Sequence, residues 1–392
     1  MPVGDVKKLG NVFTLQRGFD ITKSAQSDGV YPVVSSSGIN SYHNEYKVNG
    51  PGVVIGRKGT LGTAFYLEGK FWPHDTSLWI KDFKGNDPKF LYYFLKALPL
   101  EKLDSGSANP TLNRNFVHLI ESIIPEPDIQ IGIAGILWSL DKKIELNNKI
   151  NAELESMAKL IYDYWFVQFD FPDSNGKPYK SSGGKMVYNE TLKREIPDGW
   201  KAKRISEIEP NIVTGKTPST DKPEFFNGEV PFICIGDVRG NMHVTSTELT
   251  LSEAGACSQE KKYIPEGAIC VTCIASPGLV GFASEDSQTN QQLNSIICRD
   301  FENRYFLFFY LQDYFKFAKA KSGNTFANMN KGDFSSIESV HPDQQILEKF
   351  SELLKPLIEK NLLNSKENNR LAELRDWLLP MLMNGQVTVK DS

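Results

Sequence analysis

The sequence predicts an α/β (α+β) chain in which two similar mixed domains are separated by an antiparallel coiled coil of two long repeated helices, related by a pseudo-two-fold. Three observations carry this prediction. The second half of the chain restates the first at a constant offset. Each copy ends in a long stretch with heptad apolar spacing. Ahead of each stretch lie short β-branched runs bounded by Gly and Pro, and one aromatic-rich helical run.

The repeat is sharpest in its later part. Gly106 matches Gly323 at an offset of 217, and that offset holds without a gap over residues 106–161, with 15 identities in 56 pairs. Asn113 meets Asn330, and Ile120, Glu121 and Ser122 meet Ile337, Glu338 and Ser339. Pro125 meets Pro342, and Asn147, Asn151 and Leu154 meet Asn364, Asn368 and Leu371. Two unrelated amphipathic helices would share apolar periodicity, but not Gly, Asn and Pro at one fixed spacing. Upstream the match loosens: LGNVFTLQRGFDITK resembles ISEIEPNIVTGKTPST, YPVVSSSGIN resembles VPFICIGDVRG, and GVVIGRKGTLG resembles GAICVTCIASPGLVG. Insertions fall between these blocks, so each copy has a shared frame and its own loops.

Within each frame, GVVIG, TSLWI and GAICV read as buried strands. The runs KFLYYFLKAL and RYFLFFYLQDYFKFA read as one packed helix per copy. The chain accordingly divides into a first domain at 1–127, a helix at 128–168, a linker at 169–197, a second domain at 198–342 and a second helix at 343–385. Gly, Ser, Pro and Lys crowd the front of the linker, so residues 170–185 are expected to be exposed.

The helices carry two seams each. In the first, Ile133, Leu140, Asn147, Leu154 and Ile161 form one seam, and Leu137, Ile144, Asn151, Ala158 and Trp165 the other. In the second, they are Phe350, Leu357, Asn364, Leu371 and Leu378, then Leu354, Asn361, Asn368, Arg375 and Leu382. Asn147, Asn151, Asn364 and Asn368 thus fall on seams at equivalent places. A buried Asn costs stability unless paired, but it penalises slipped registers. Antiparallel packing with facing Asn layers is the simplest solution, and a solvated face the alternative. Pro356 should interrupt and kink the second helix, because it removes a backbone hydrogen bond. A helix of this length spans roughly 55 Å, so the pair forms a ruler on the scale of one to two DNA turns.

Composition bounds the rest. Of the residues 40% are apolar and 23% charged, and no apolar run is long enough to span a membrane. MPVGDVKKLG lacks the apolar core of a secretory leader, so a cytoplasmic location is expected. Five cysteines, an odd number, argue against a disulfide framework. Cys270 and Cys273 form a CxxC inside an apolar run, which reads as buried strand cysteines, with half a metal or redox pair as the alternative. Net charge is −4, unusual for a DNA-binding chain. Residues 1–125 carry 14 basic and 11 acidic groups and residues 186–340 carry 16 and 20, so any phosphate contact rests on local basic loops or on a partner.

Apparent catalytic motifs fail on inspection. Gly215-Lys216-Thr217 mimics the end of a P-loop, but the Gly required five residues earlier is Pro210. Glu68-Gly69-Lys70 is similar to the tail of a nuclease motif without a convincing Pro-Asp partner. None of the five histidines pairs at i+4, there is no GxSxG elbow, and no Asn-Pro-Pro-aromatic tetrapeptide occurs. No catalytic or metal site is expected in this chain.

These features together resemble the specificity subunit of type I restriction–modification enzymes, over essentially the whole chain. FPDSNGKPYKSSGGKMVYNETLKREIPDGW is similar to the entry into that family's second target-recognition domain, and LAELRDWLLPMLMNGQV to its closing helix. GVVIGRKGTLG resembles the glycine-rich strand–turn of its recognition domains, and SGSANPTLNRNFV the turn before the helix. Two departures stand out: GAICVTCIASPGLVG sets Thr272 and Cys273 where the first copy has Arg57 and Lys58, and Pro356 lies within the second helix. The resemblance implies that each target-recognition domain reads one half of a split double-stranded DNA target. It implies that the helices set the gap and dock two methyltransferase subunits, which use S-adenosylmethionine, and that two motor–nuclease subunits, using ATP and Mg, join for restriction. The chain would supply specificity and no chemistry. A non-DNA coiled-coil scaffold presenting two binding domains is the competing reading.

Sequence readout needs side chains that reach base edges, and phosphate contact needs charge or free amides. Loop candidates in the first domain are Arg17, Lys23, Ser36, Ser37, Arg57, Lys58, Asn109, Asn113 and Arg114. In the second they are Lys216, Thr217, Asp237, Arg239, Asn324, Asn328, Asn330 and Lys331. Arg57 and Lys58 rank first, because neighbouring glycines let the backbone approach a phosphate. Asn113 and Asn330, being matched, are also candidates for capping the following element.

Overall fold

The computed structural model describes residues 4–104, 110–322 and 328–387. The chain divides into two compact units, Met1–Ile144 with Arg370–Ser392, and Glu145–Asn369. The cuts fall inside both long helices, not at their ends, so each unit comprises a mixed domain and a segment of each helix.

In the first unit, strands Thr14–Arg17, Ser77–Asp82, Gly52–Gly56 and Ala64–Leu67 form an antiparallel sheet in that order. A second sheet orders Gly38–His43, Tyr31–Ser35 and Trp72–Pro73, the last pair parallel. Asp5–Lys8 pairs with Glu121–Ile124, just ahead of the long helix. The run GVVIG is a strand buried on both faces: Val53 and Ile55 pack with the helix Pro88–Ala97, while Val54 packs with Val34, Phe71 and Trp79. That helix starts where Asp87 accepts a hydrogen bond from the Phe90 amide and Pro88 takes the first helical position. Ile133 and Leu137 from the first long helix, and Leu379 and Leu382 from the second, complete the core.

The second unit repeats this plan. Ile212–Thr214, Leu293–Ile296, Ile269–Thr272, Val280–Ala283 and His243–Val244 form one sheet in that order, and Leu249–Leu251, Phe226–Ile233 and Gln288–Thr289 another. Lys201–Arg204 pairs with Glu338–His341, as Asp5–Lys8 does with Glu121–Ile124. Aromatics of the helix Phe301–Ser322, among them Phe306, Phe308 and Phe309, fill the core with Tyr162, Phe166 and Phe350 of the long helices. Cys270 packs with Ile233 and Val238, whereas Cys273 packs in the aromatic core with Ile269 and Val271. The two thiols therefore lie in different packing clusters, which does not suit a shared metal. Burial pushes them up to about 12 and about 11, which opposes the thiolate form.

The long helices are Pro127–Tyr162, prolonged by a π turn at Asp163–Val167, and Gln344–Met383. They run antiparallel, and each unit shows this by itself. In the first, Arg375 pairs with Asp141 at 2.6 Å, while Leu379 and Leu382, later in the second helix, share a core with Leu137 and Ile133, earlier in the first; the Tyr93 hydroxyl donates to the other Asp141 oxygen at 2.5 Å. In the second, Asn147 Nδ2 donates to Glu367 at 2.8 Å and Asn368 at 3.0 Å, and Asn364 Nδ2 donates to Asn151 Oδ1 at 2.9 Å. Asn147 and Asn364 are each 1% exposed, so these are interior amides in a satisfied network.

Two expectations need correction. Pro356 does not interrupt the second helix, which is continuous from Gln344 to Met383. Pro356 and Glu352, whose carbonyl the proline leaves without its helical donor, are both exposed, so water can serve that carbonyl. The segment 170–185 is not exposed throughout. Phe169 and Phe171 are buried against Trp200, and the Ser181 hydroxyl and amide bind the Asp170 carboxylate at 2.6 and 2.7 Å, holding it below its usual range. The polar composition described the turn, while the flanking aromatics anchor it.

Candidate nucleic-acid interface

In the first unit, strand pairing gathers loops from five places in the chain at one end of the main sheet. Arg17 ends its strand, and the Gly18 amide donates to Ser77 O at 3.1 Å. The turn after Val34 meets the 74–76 loop through His74 N to Val34 O at 2.8 Å. Arg57 and Lys58 both donate their amides to Thr76 O at 3.0 Å, and Gly59 donates to Pro110 O at 3.3 Å. Gly18 is required by contact, since a Cβ there would lie 2.1 Å from His74 O.

Charge concentrates at this end. Arg17 Nη2 sits 2.6 Å from Asp75 Oδ2, His74 Nδ1 sits 3.1 Å from Asp75 Oδ1, and Arg57 Nη1 donates to the Asp75 carbonyl at 3.3 Å. Burial alone would raise the Asp75 carboxyl, but the Arg17 hydrogen bond, with the charges of His74, Arg17 and Lys58, holds it below its usual range. Burial lowers Arg57, and repulsion from Arg17 adds to this. Asp20, His74 and Asp75 offer ligand atoms within 4.8 Å of one another, the one such group among the described residues. Arg17 already supplies its cation, so the arrangement reads as an ion-pair cluster.

The second unit repeats several of the backbone bonds of this end. Gly215 N to Leu293 O matches Gly18 N to Ser77 O, both at 3.1 Å. Cys273 N to Gln292 O at 2.8 Å matches Arg57 N to Thr76 O, and Met329 N to Cys273 O matches Leu112 N to Arg57 O, both at 2.9 Å. Asn290 N to Ile233 O at 3.2 Å matches His74 N to Val34 O. A Cβ on Gly215 would meet Asn290 O at 2.1 Å, as one on Gly18 meets His74 O. These bonds correct the alignment of the glycine-rich turn by one residue: Thr272 stands at Gly56, Cys273 at Arg57 and Ile274 at Lys58. Ala275, with φ 64°, then stands at Gly59, with φ 78°.

The frame recurs but its side chains do not. Asp75 becomes Gln291, His74 becomes Asn290, Asp20 becomes Thr217 and Arg17 becomes Thr214. The Thr217 hydroxyl donates to Gln291 Oε1 at 2.6 Å, in the place where Asp20 approaches Asp75. A charged cluster is thus replaced by an uncharged polar one.

The sequence matches the family described as type I restriction modification DNA specificity domain over residues 4–156 and again over 197–373. The chain belongs to this family. Among its relatives, the type I restriction enzyme HindI specificity subunit of Haemophilus influenzae is 35% identical over 328 residues, 71% of each chain. The MjaIX specificity subunit of Methanocaldococcus jannaschii is 27% identical over 314 residues, 77% of this chain and 70% of the relative. A crystal structure of the type I restriction–modification S subunit from M. genitalium shares the fold, with a TM-score of 0.65 at 15% identity over 100% of this chain and 97% of that one. The two matched segments of the family fall on the two copies of the repeat.

The remaining candidates sort by environment. Lys23, Ser37, Lys58, Arg114, Lys216, Arg239 and Lys331 are exposed, and Ser36 is half-buried with its amide toward Thr76 Oγ1 at 3.4 Å. The side chains of Asn113 and Asn330 accept from Asn115 N at 3.0 Å and Asp333 N at 2.9 Å, capping short helices. Asp237 spends both carboxylate oxygens on backbone amides, Cys234 at 2.7 Å and Glu248 at 3.0 Å, which gives it a role in the fold. Asn328 accepts from the Ala275 amide at 3.1 Å. Asn109 and Asn324 lie outside the described residues. The glycine argument for Arg57 and Lys58 also changes: their amides are engaged by Thr76, so only their side chains are left to meet a phosphate. Sequence reasoning missed Asp75 and Gln291, which become visible only when the 74–77 and 290–293 loops are seen against the strands they pair with.

Proposed function

We propose that this chain is the DNA sequence-recognition subunit of a type I restriction–modification complex. Each target-recognition domain reads one half of a bipartite double-stranded target. The antiparallel helices set the spacing and dock two methyltransferase subunits, with two motor–nuclease subunits joining for restriction. S-adenosylmethionine, ATP and Mg belong to those partners, and this chain contributes specificity without catalysis. The observation that carries the reading is the doubled frame: one backbone, held by the same main-chain bonds, presents different polar groups in its two copies. A split target with unlike halves needs such a reader. Exposed apolar side chains along the helices, among them Ile136, Met157, Leu160, Leu363 and Trp377, support the docking role. Asn147, Asn151, Asn364 and Asn368 fix the register of the two helices in this reading.

The competing scaffold reading drew on the net charge of −4. Arg17, Arg57 and Lys58 on one loop end, together with family membership, weigh against it. Methylome mapping in a host that expresses this chain with its methyltransferase subunits tests the proposal. A bipartite adenine motif that disappears when this chain is omitted is expected. Methylation that persists without it, or a motif without a gap, overturns the reading.

A further inference from the structure

The two loop ends differ in a way that assigns base chemistry to each half-site. This inference rests on the proposed function above. We infer that Arg17, clamped by Asp75, reads a guanine in the half-site of the first domain, and that Gln291, oriented by Thr217, reads an adenine in the half-site of the second.

Arg17 reaches across 58 residues of sequence to Asp75. Its side chain is 53% exposed while the Asp75 carboxylate is 17% exposed, so the clamp is set back and the guanidinium is presented. Asp75 engages Nη2. Among the described residues the guanidinium has no other protein hydrogen-bond partner, which leaves donors to grip guanine O6 and N7 together. A guanidinium held in place loses less rotamer freedom on binding than a free one. The carboxylate also disfavours contact with phosphate, which directs the pair toward a base edge.

In the second domain the matching backbone position carries the exposed Gln291. The Thr217 hydroxyl donates to its Oε1 at 2.6 Å, occupying one lone pair and holding the amide in place. The second lone pair of Oε1 can accept from adenine N6 while Nε2 donates to N7, the bidentate pairing of glutamine with adenine. The counterpart of Arg17 is Thr214, whose hydroxyl is spent on Asn294 at 2.6 Å.

The test uses the complex of this chain with its methyltransferase subunits and reads the methylated motif genome-wide. In Arg17→Ala one G·C position of the first half-site relaxes, with preference falling about tenfold to a hundredfold, while the second half-site is unchanged. In Gln291→Ala one A·T position of the second half-site relaxes, and in Gln291→Glu it shifts toward C·G, because a carboxylate accepts from cytosine N4. The untouched half-site reports assembly in every variant. Should Arg17→Ala abolish methylation, Arg17→Lys keeps the charge without the fork and is expected to relax the same position. A bipartite motif whose G·C position stays fixed in both Arg17 variants, or whose A·T position stays fixed in both Gln291 variants, overturns the assignment and leaves the proposed function standing. A wild-type motif without two halves overturns both.

Discussion

Replacing Asn151 by Ala separates two physical pictures by the sign of its effect. Ala exceeds Asn in helix propensity by about 0.6 kcal/mol. On a solvated face that gain would be the whole effect, and stability would rise. Here Asn151 is 8% exposed and its amide serves three partners. Its Nδ2 donates to the Ser365 hydroxyl at 3.1 Å and the Asn361 carbonyl at 3.3 Å, and its Oδ1 accepts from Asn364 Nδ2 at 2.9 Å. Truncation leaves the Asn364 donor buried without this acceptor, at a cost of about 1–3 kcal/mol, and loses donated bonds worth about 1 kcal/mol. Net of the propensity gain, Asn151→Ala should destabilise by roughly 2–3 kcal/mol. Urea unfolding followed by circular dichroism measures this, fitted to the transition of the unit that holds the layer. Asn364→Ala alone orphans the Asn151 oxygen. The double variant removes donor and acceptor together, so the cycle should show a coupling of about 1–2 kcal/mol. A stabilised single variant, or two singles that add without coupling, refutes the interior layer.

Other consequences are measurable with the same material. Arg57→Ala combined with Lys58→Ala should weaken DNA binding and lower the slope of log affinity against log salt by up to about two, and an unchanged slope removes both from the phosphate contacts. Exchange of residues 198–342 for the corresponding domain of a relative should change one half-site only; change in both sinks the modular reading. Deleting one matched heptad from each helix shortens each by about 10 Å and should shift the gap by about three base pairs, so an unchanged gap in a folded variant argues against the ruler. Burial pushes His243 from its ordinary 6.5 down to about 4, with its main-chain bond to Ile358 opposing and Lys366 adding to the shift. The folded state then binds fewer protons than the unfolded state between those values. The stability gained by keeping His243 neutral is full above pH 6.5 and falls as pH drops toward 4, by on the order of 2–3 kcal/mol. His243→Gln should make that stretch of the pH profile shallower, with His341, also pushed down to about 4 by burial, keeping part of the slope; a profile as steep as the parent's removes His243 as a cause.

What could be read from the sequence follows from what each part of the chain must satisfy. The long helices pack side chain against side chain, so their seams keep Leu, Ile and Asn at fixed spacing, and the repeat survives there as identity. GVVIG and GAICV are legible for a similar reason, because a strand buried on both faces must be apolar throughout. Asp75 and Gln291 were not legible. Each meets its partner across 58 or 74 residues through strand pairing, and nothing local to HDTS or TNQQ announces an ion pair or an oriented amide. Phe169 and Phe171 were hidden for the opposite reason, since the surrounding Ser, Gly and Lys dominate the window while two aromatics decide where it packs.

The same contrast explains how a duplicated chain can present two unlike loop ends. At the loop ends the fold is held by main-chain bonds, such as Arg57 N to Thr76 O and Cys273 N to Gln292 O, which ask nothing of the side chains that carry them. Arg can stand where Cys stands, and Asp where Gln stands, without loss of a frame bond. Glycines are the exception: carbonyl oxygens lie 2.1 Å from where a Cβ on Gly18 or Gly215 would stand, and Thr60 O lies 2.0 Å from one on Gly56. Side-chain identity is therefore free to drift at the loop ends and is held where helices must register. The acidic total of the chain is compatible with this division, because the clamped charge of the first loop end sits on a few groups, Arg17, Arg57 and Asp75 among them.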